Sequence, residues 1–139
     1  PDGVDPQGQV LKTGAFARLA MANPKLSPYG GAAAQTLSAL GLSEAWAGKI
    51  VEGANVAQAY QFVASGNAEL GFVALSQVTQ DGKLTQGSAW RVPTTMHQPL
   101  IQSAVLLKPS LGNPAATALW AYLKGKQAQD IIRSFGYDL

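Results

Sequence analysis

Cysteine is absent from this chain, which removes disulfides, thiolate nucleophiles and thiolate-bound metals from consideration and leaves the compartment open. Charge is scarce too: 13% of residues are ionic, and ten bases against eight acids give a formal net charge of +2. That surplus is too small and too scattered to form a nucleic-acid face. His97 is the sole histidine and sits in a proline-bounded connector, so no second imidazole or thiolate completes a metal site, and a solvated or hinge role is expected. No window approaches the roughly 18 apolar residues of a membrane span, and the start lacks a basic-then-apolar leader pattern. Gly-x-Ser-x-Gly, Gly-x-Gly-x-x-Gly and Walker patterns are missing, as are internal repeats. The acids Glu44, Glu52, Glu69 and Asp81 are dispersed, which leaves an enzyme without an evident general base.

What is present is a chain of 139 residues, 47% hydrophobic, enough for one compact domain with a proper core. Residues 1–9 are rich in turn formers and read, with the residues up to 15, as a linker continued from elsewhere. Phe16 to Ala22 is a short apolar run ended by Asn23-Pro24, which predicts a buried strand. Ser27 is a natural N-cap, Pro28 suits the first helical position, and Ala33, Leu37 and Leu40 recur on one helical face before Gly41 stops the helix. Ser43 to Ala47 adds a turn, and Lys49 to Gly53 predicts a second strand. Val56, Ala59, Tyr60 and Val63 then mark an amphipathic helix over 55–65, capped by Asn55 and closed by Gly66.

Leu70 to Leu75 is continuously apolar and predicts a central parallel strand covered on both faces. Asp81-Gly82 and Gln86-Gly87 mark an exposed excursion, and Ile101 to Lys108 predicts a further strand. Two helices close the chain. Ala116, Leu119, Trp120 and Leu123 form the apolar face of one, after the Asn113-Pro114 cap, and Ala128, Ile131, Ile132 and Phe135 that of the other. Strand and helix in alternation argue for an α/β layer fold.

The two strand-to-helix corners carry the functional signal. The amides of Tyr29 and Gly30 lack intrahelical acceptors, and behind the Asn55 cap the first free amide is that of Val56. Helix starts of this kind bind anions, so two of them are expected to grip one oxyanion. Either corner alone is an ordinary cap; the pair is what informs.

Leu19-Ala-Met-Ala-Asn-Pro-Lys-Leu-Ser-Pro-Tyr-Gly30, the run from Asn55 to Gln77, and Tyr122-Leu-Lys-Gly125 with Phe135-Gly-Tyr137 resemble the periplasmic molybdate-binding proteins of ABC transporters. The resemblance covers nearly the whole chain. It implies a type II periplasmic binding protein fold, of which this chain is one lobe: a central, mostly parallel sheet flanked by helices, plus two C-terminal helices. Residues 16–98 would be the second ligand-binding lobe. Residues 99–139 would be a crossing strand and helices that belong to the first lobe, whose serine or threonine donors the chain lacks.

The resemblance also implies main-chain N–H donors at Tyr29 and Val56, with Gly30 and Asn55 as neighbours. Some members add a tyrosine hydroxyl where this chain has Ala74, a loss for which the Tyr29 side chain would have to compensate. The implied function is capture of molybdate or tungstate in the periplasm and delivery to a membrane permease, with no cofactor, no catalysis, no nucleic acid and no membrane span of its own. The competing class is the ligand-sensing domain of a transcription regulator with the same lobe architecture.

Overall fold

A computed structural model describes residues 3–139. The chain opens with a short helix, α1 (Val10–Thr13), started by Asp5, whose carboxylate accepts the N–H groups of Gln7, Gln9 and Val10 at 2.9 to 3.0 Å. Within the span expected as a linker, Leu11 is therefore buried in the main core. The sequence reading saw the turn formers but not the packing. Residues 1 and 2 of that span lie outside the described residues.

β1 (Leu19–Ala22) is buried at all four positions and forms the middle of a three-stranded parallel sheet of order β2-β1-β3. After it come α2 (Pro28–Ala39) and the single turn α3 (Ser43–Trp46). The chain then returns as β2 (Ile50–Gly53), whose register sets Leu19 against Ile50 and Ala22 against Gly53. α4 (Val56–Ala64) follows and packs across β1 and β2. Parallel strands joined through helices are the α/β arrangement expected from the alternation of periodicities. The core lies where α2 meets β1: Leu11, Phe16, Leu19, Met21, Ala33 and Leu37 are buried together, with Trp46, Ile50, Leu70 and Phe72 packed around them. Each fully buried leucine there contributes about 1.5–3 kcal/mol.

The run from Leu70 to Leu75 departs from expectation. β3 is only Leu70–Gly71, paired with Leu19 and Ala20, and it is an edge of the sheet, with β1 central. Phe72 N–H still reaches Ala20 O at 2.8 Å, but Ala74 then starts the four-residue helix α5 (Leu75–Val78). A continuous apolar run does not separate a buried strand from a short strand that turns at once into a half-buried helix. Next, β4 (Thr79–Gln80) and β5 (Lys83–Leu84) form a hairpin. Its turn residues Asp81 and Gly82 have φ of 51° and 72°, the left-handed pair that a two-residue hairpin requires.

Ile101 to Lys108 is not a strand. Ile101 is 84% exposed and Val105 78%, and nothing in the chain pairs with their backbone among the described residues. Apolar alternation makes a strand only when a neighbouring strand accepts it. α6 (Pro114–Lys124) and α7 (Lys126–Ser134) form as expected, the first capped by Asn113 Oδ1 on the amides of Ala115 and Ala116. They pack on each other, yet Leu119, Leu123, Ile131 and Phe135 of their apolar faces remain exposed.

Candidate functional site

Because β1 and β2 run parallel with Ala22 beside Gly53, the helices that follow them both begin at the carboxyl edge of the sheet, where ligands of open α/β sheets bind. The loop between β1 and α2 is held to that edge by Asn23. Its N–H donates to Gly53 O at 2.7 Å, its side-chain amide donates to Glu52 Oε2 at 2.7 Å, and its Oδ1 accepts Lys25 N–H at 2.9 Å. Its carbonyl accepts the amides of Leu26 and Ser27. Thus the Glu52 carboxylate, close to the expected anion corner, is engaged with a neutral amide donor.

At the start of α2, Ser27 occupies the N-cap position, but its hydroxyl makes no capping hydrogen bond. This corrects the expectation of a side-chain cap: the Ser27 carbonyl accepts Gly31 N–H at 3.0 Å, while the turn is organised from Asn23. The amides of Tyr29 and Gly30 make no hydrogen bond within the described residues, as befits the first turn of a helix. Gly30 is buried, and a Cβ there would overlap the Ala22 carbonyl oxygen and lie 2.7 Å from the Asn23 carbonyl. Only glycine lets the helix start this close to the strand end.

The start of α4 is capped conventionally. Asn55, in extended conformation, accepts Gln58 N–H through Oδ1 at 3.0 Å, and Gln58 Oε1 reaches back to Ala54 N–H at 2.7 Å. This is a reciprocal capping arrangement, and Val56 N–H stands outside it with no acceptor within the described residues. Gly53 supplies the tight approach, since a Cβ on it would sit 3.0 Å from Ala59 N.

The start of α4 is tied to α5, which sequence reasoning missed. Gln77 accepts Ala74 N–H at 2.9 Å and donates to Val56 O at 3.4 Å. Ser76 Oγ lies 3.0 Å from the Tyr137 hydroxyl. Burial first, and then that neighbouring phenol, hold the Tyr29 pKa above its ordinary value, so the hydroxyl is neutral at physiological pH. Ala74, where a polar side chain was in question, is buried and offers none. The Asn55 cap was legible in the sequence, its Gln58 partner was not read from it, and the Ser76–Tyr137 contact carried no local signal.

In sum, the edge presents neutral N–H donors from two helix starts at adjacent strands. Each start carries about half a positive charge from aligned peptide dipoles. Among the described residues, no group of three or more histidines or carboxylates is placed to hold a metal ion.

Residues 1–138 match the family of bacterial extracellular solute-binding proteins. The chain belongs to that family. Among solute-binding proteins of known sequence, it is 59% identical over 139 residues to the molybdate-binding protein ModA of Azotobacter vinelandii, covering all of this chain and 55% of that protein. It is 46% identical over 137 residues to the molybdate-binding protein ModA of Rhodobacter capsulatus, covering 99% of this chain and 53% of that protein. The chain therefore spans about half the length of the curated relatives it matches. A solved structure, the periplasmic molybdate-binding protein of Azotobacter vinelandii, superposes with a TM-score of 0.91 at 39% identity, over all of this chain and 61% of that one. The substrate-binding domain of a putative molybdenum ABC transporter from Clostridium difficile superposes at 0.66 with 25% identity, over 94% of this chain and 56% of that one. These relatives are binding proteins, and the α/β lobe with a parallel sheet flanked by helices is the solute-binding architecture.

Proposed function

We propose that this chain is the second lobe, with the C-terminal helices, of a periplasmic receptor that captures molybdate or tungstate and delivers it to the permease of an ABC transporter. The observation that carries the reading is the pair of unpartnered helix-start amides, Tyr29 and Val56, at the ends of adjacent parallel strands in a chain 59% identical to a molybdate-binding protein. Gly30 and Asn55 shape those starts, the first by its missing side chain and the second by its cap.

Both oxyanions are dianions at neutral pH, and several short N–H bonds in a dry cleft substitute for a cation. A pocket made only of donors also rejects protonated anions such as hydrogen phosphate, whose O–H would be buried without an acceptor. Cavity size then has to separate molybdate from sulfate, and that cavity needs both lobes. The anion bridges the lobes and stabilises the closed state through contacts made only there. Binding, with no turnover, is the activity.

Assignment of residues 99–139 to the first lobe is part of the same proposal. It is supported by the unpaired apolar run 101–108 and by the exposed apolar faces of α6 and α7, which such a lobe would cover. Among the described residues no helix is long and apolar enough to cross a membrane. No observation favours the transcription-regulator alternative. The test is titration calorimetry of the full-length gene product with molybdate, tungstate, sulfate and phosphate. Saturable binding of the first two with weak or absent binding of phosphate is expected; a preference for phosphate, or no binding of any, refutes the assignment.

A further inference from the structure

Glu52 is a carboxylate without a cation. It is exposed near the carboxyl end of β2, and among the described residues no lysine or arginine lies within ion-pair distance of it. Its side chain instead accepts a neutral donor, the Asn23 side-chain amide, at 2.7 Å. Asn23 is also bonded to the next residue of β2, through its N–H on Gly53 O at 2.7 Å. The residue that follows β1 is therefore tied at two points to the end of β2. A single main-chain bond leaves a loop free to turn about it, and a second bond to the neighbouring side chain removes that rotation. On its other side Asn23 holds the loop, with Oδ1 accepting Lys25 N–H at 2.9 Å and the carbonyl accepting the amides of Leu26 and Ser27 at 3.1 and 3.0 Å. α2 begins at the next residue, Pro28, and its Gly30 lies so close to the Asn23 carbonyl that a Cβ would sit 2.7 Å from it.

We propose that Glu52 is a positioning residue of the anion site: by holding the Asn23 side chain, its carboxylate fixes the start of α2 against the end of β2 and so sets the spacing of the Tyr29 and Val56 amides. The inference rests on the functional reading above and extends it to a residue that touches no ligand. Asn23 leads into α2 and Tyr29, and Gly53 leads into α4 and Val56, so the two contacts of Asn23 link one donor-bearing start to the other. A hydrogen bond to an anion weakens steeply when the N–H swings off line. Corners fixed relative to each other before the ligand arrives leave less ordering to oppose binding. The bond between Asn23 and Glu52 is of the stronger, charge-assisted kind. Charge alone predicts the opposite sign, because a carboxylate beside a dianion repels it and its loss would only tighten binding.

The test uses the full-length protein with molybdate as the probe, in titration calorimetry. Glu52→Gln and Glu52→Met remove the same charge and leave side chains of similar length, but only glutamine keeps an oxygen for Asn23 to donate to. Glu52→Met is expected to bind about 3- to 10-fold more weakly than Glu52→Gln, the worth of one neutral hydrogen bond, with the ligand-free melting temperatures alike. A second pair approaches the link from Asn23. Asn23→Asp keeps an acceptor for Lys25 N–H but sets carboxylate against carboxylate, and should weaken binding. Adding Glu52→Gln to it supplies a donor to the new carboxylate, restores the wild-type net charge and should recover most of the lost affinity. Should Asn23→Asp fail to fold, the Glu52 pair, at an exposed position, decides alone. Equal affinities of Glu52→Gln and Glu52→Met, or no recovery in the double variant, overturns the positioning role and leaves the functional reading standing. Failure of the wild-type protein to bind molybdate overturns that reading and the inference with it.

Discussion

Val56→Pro is the substitution that isolates one donor. Proline removes the backbone N–H and fixes φ near −65°, which the first position of a helix already adopts. The preceding residue must be extended, and Asn55 already is, at φ −152° and ψ 173°. The amide deleted has no acceptor within the described residues, so no internal hydrogen bond is lost. The carbonyl of residue 56 remains to accept from Gln77, and the Asn55 cap on Gln58 is untouched. Folding stability should therefore change little, apart from the smaller side chain at a half-buried position.

Binding should change a great deal. A hydrogen bond to a charged group is worth about 1.5–3 kcal/mol. At about 1.4 kcal/mol per decade, its loss weakens molybdate affinity about 10- to 150-fold. Calorimetry on the full-length variant measures this directly, with far-UV circular dichroism as the check on folding. A folded Val56→Pro protein with wild-type affinity would remove the Val56 amide from the site and refute the two-corner argument.

Three further outcomes are expected. Gly30→Ala drives a methyl into the carbonyls of Ala22 and Asn23, and should cost about 1–3 kcal/mol in urea unfolding together with a clear loss of affinity, as the start of α2 is pushed off the strand end. Asn55→Ala leaves Gln58 N–H without its cap and should cost about 1 kcal/mol of stability, read from the urea midpoint. Acid should destabilise the fold through Asp5 and Glu69. The amide of Gln9, followed by those of Val10 and Gln7, holds Asp5 below its ordinary 3.8, and the Arg18 amide holds Glu69 below 4.5. Both folded values are depressed, so their contribution is complete above the unfolded values and is lost as pH falls through the folded ones. Melting temperature should accordingly be level above about pH 5 and decline below it, and Glu69→Gln should flatten part of that decline.

Where the sequence succeeded, the signal was local. Pro28 at the first helical position, the Asn55 and Asn113 caps and the helical spacing of Ala33 with Leu37 each involve residues within one or two turns, and those helices formed within a residue or two of the expected bounds. Where it failed, the deciding partner was remote or missing. Leu70 to Leu75 had the composition of a strand, but its place at the edge of the sheet and the turn into α5 ended it after two residues. Ile101 to Lys108 had the composition of a strand and no neighbour to pair with. Ser27 had the chemistry of a cap, yet Asn23 organised the turn from upstream.

The candidate site divides the same way. Short-range chemistry alone determined that two helix starts would present unpaired amides, because proline, glycine and asparagine act on the backbone within a few bonds of themselves. Only tertiary structure decided that the strands feeding those helices lie side by side with Ala22 against Gly53, and that Ser76 meets Tyr137, 61 residues away in sequence. Register and long-range hydrogen bonds are selected by how whole faces pack, and that information is spread over the chain, not written at the residues that use it.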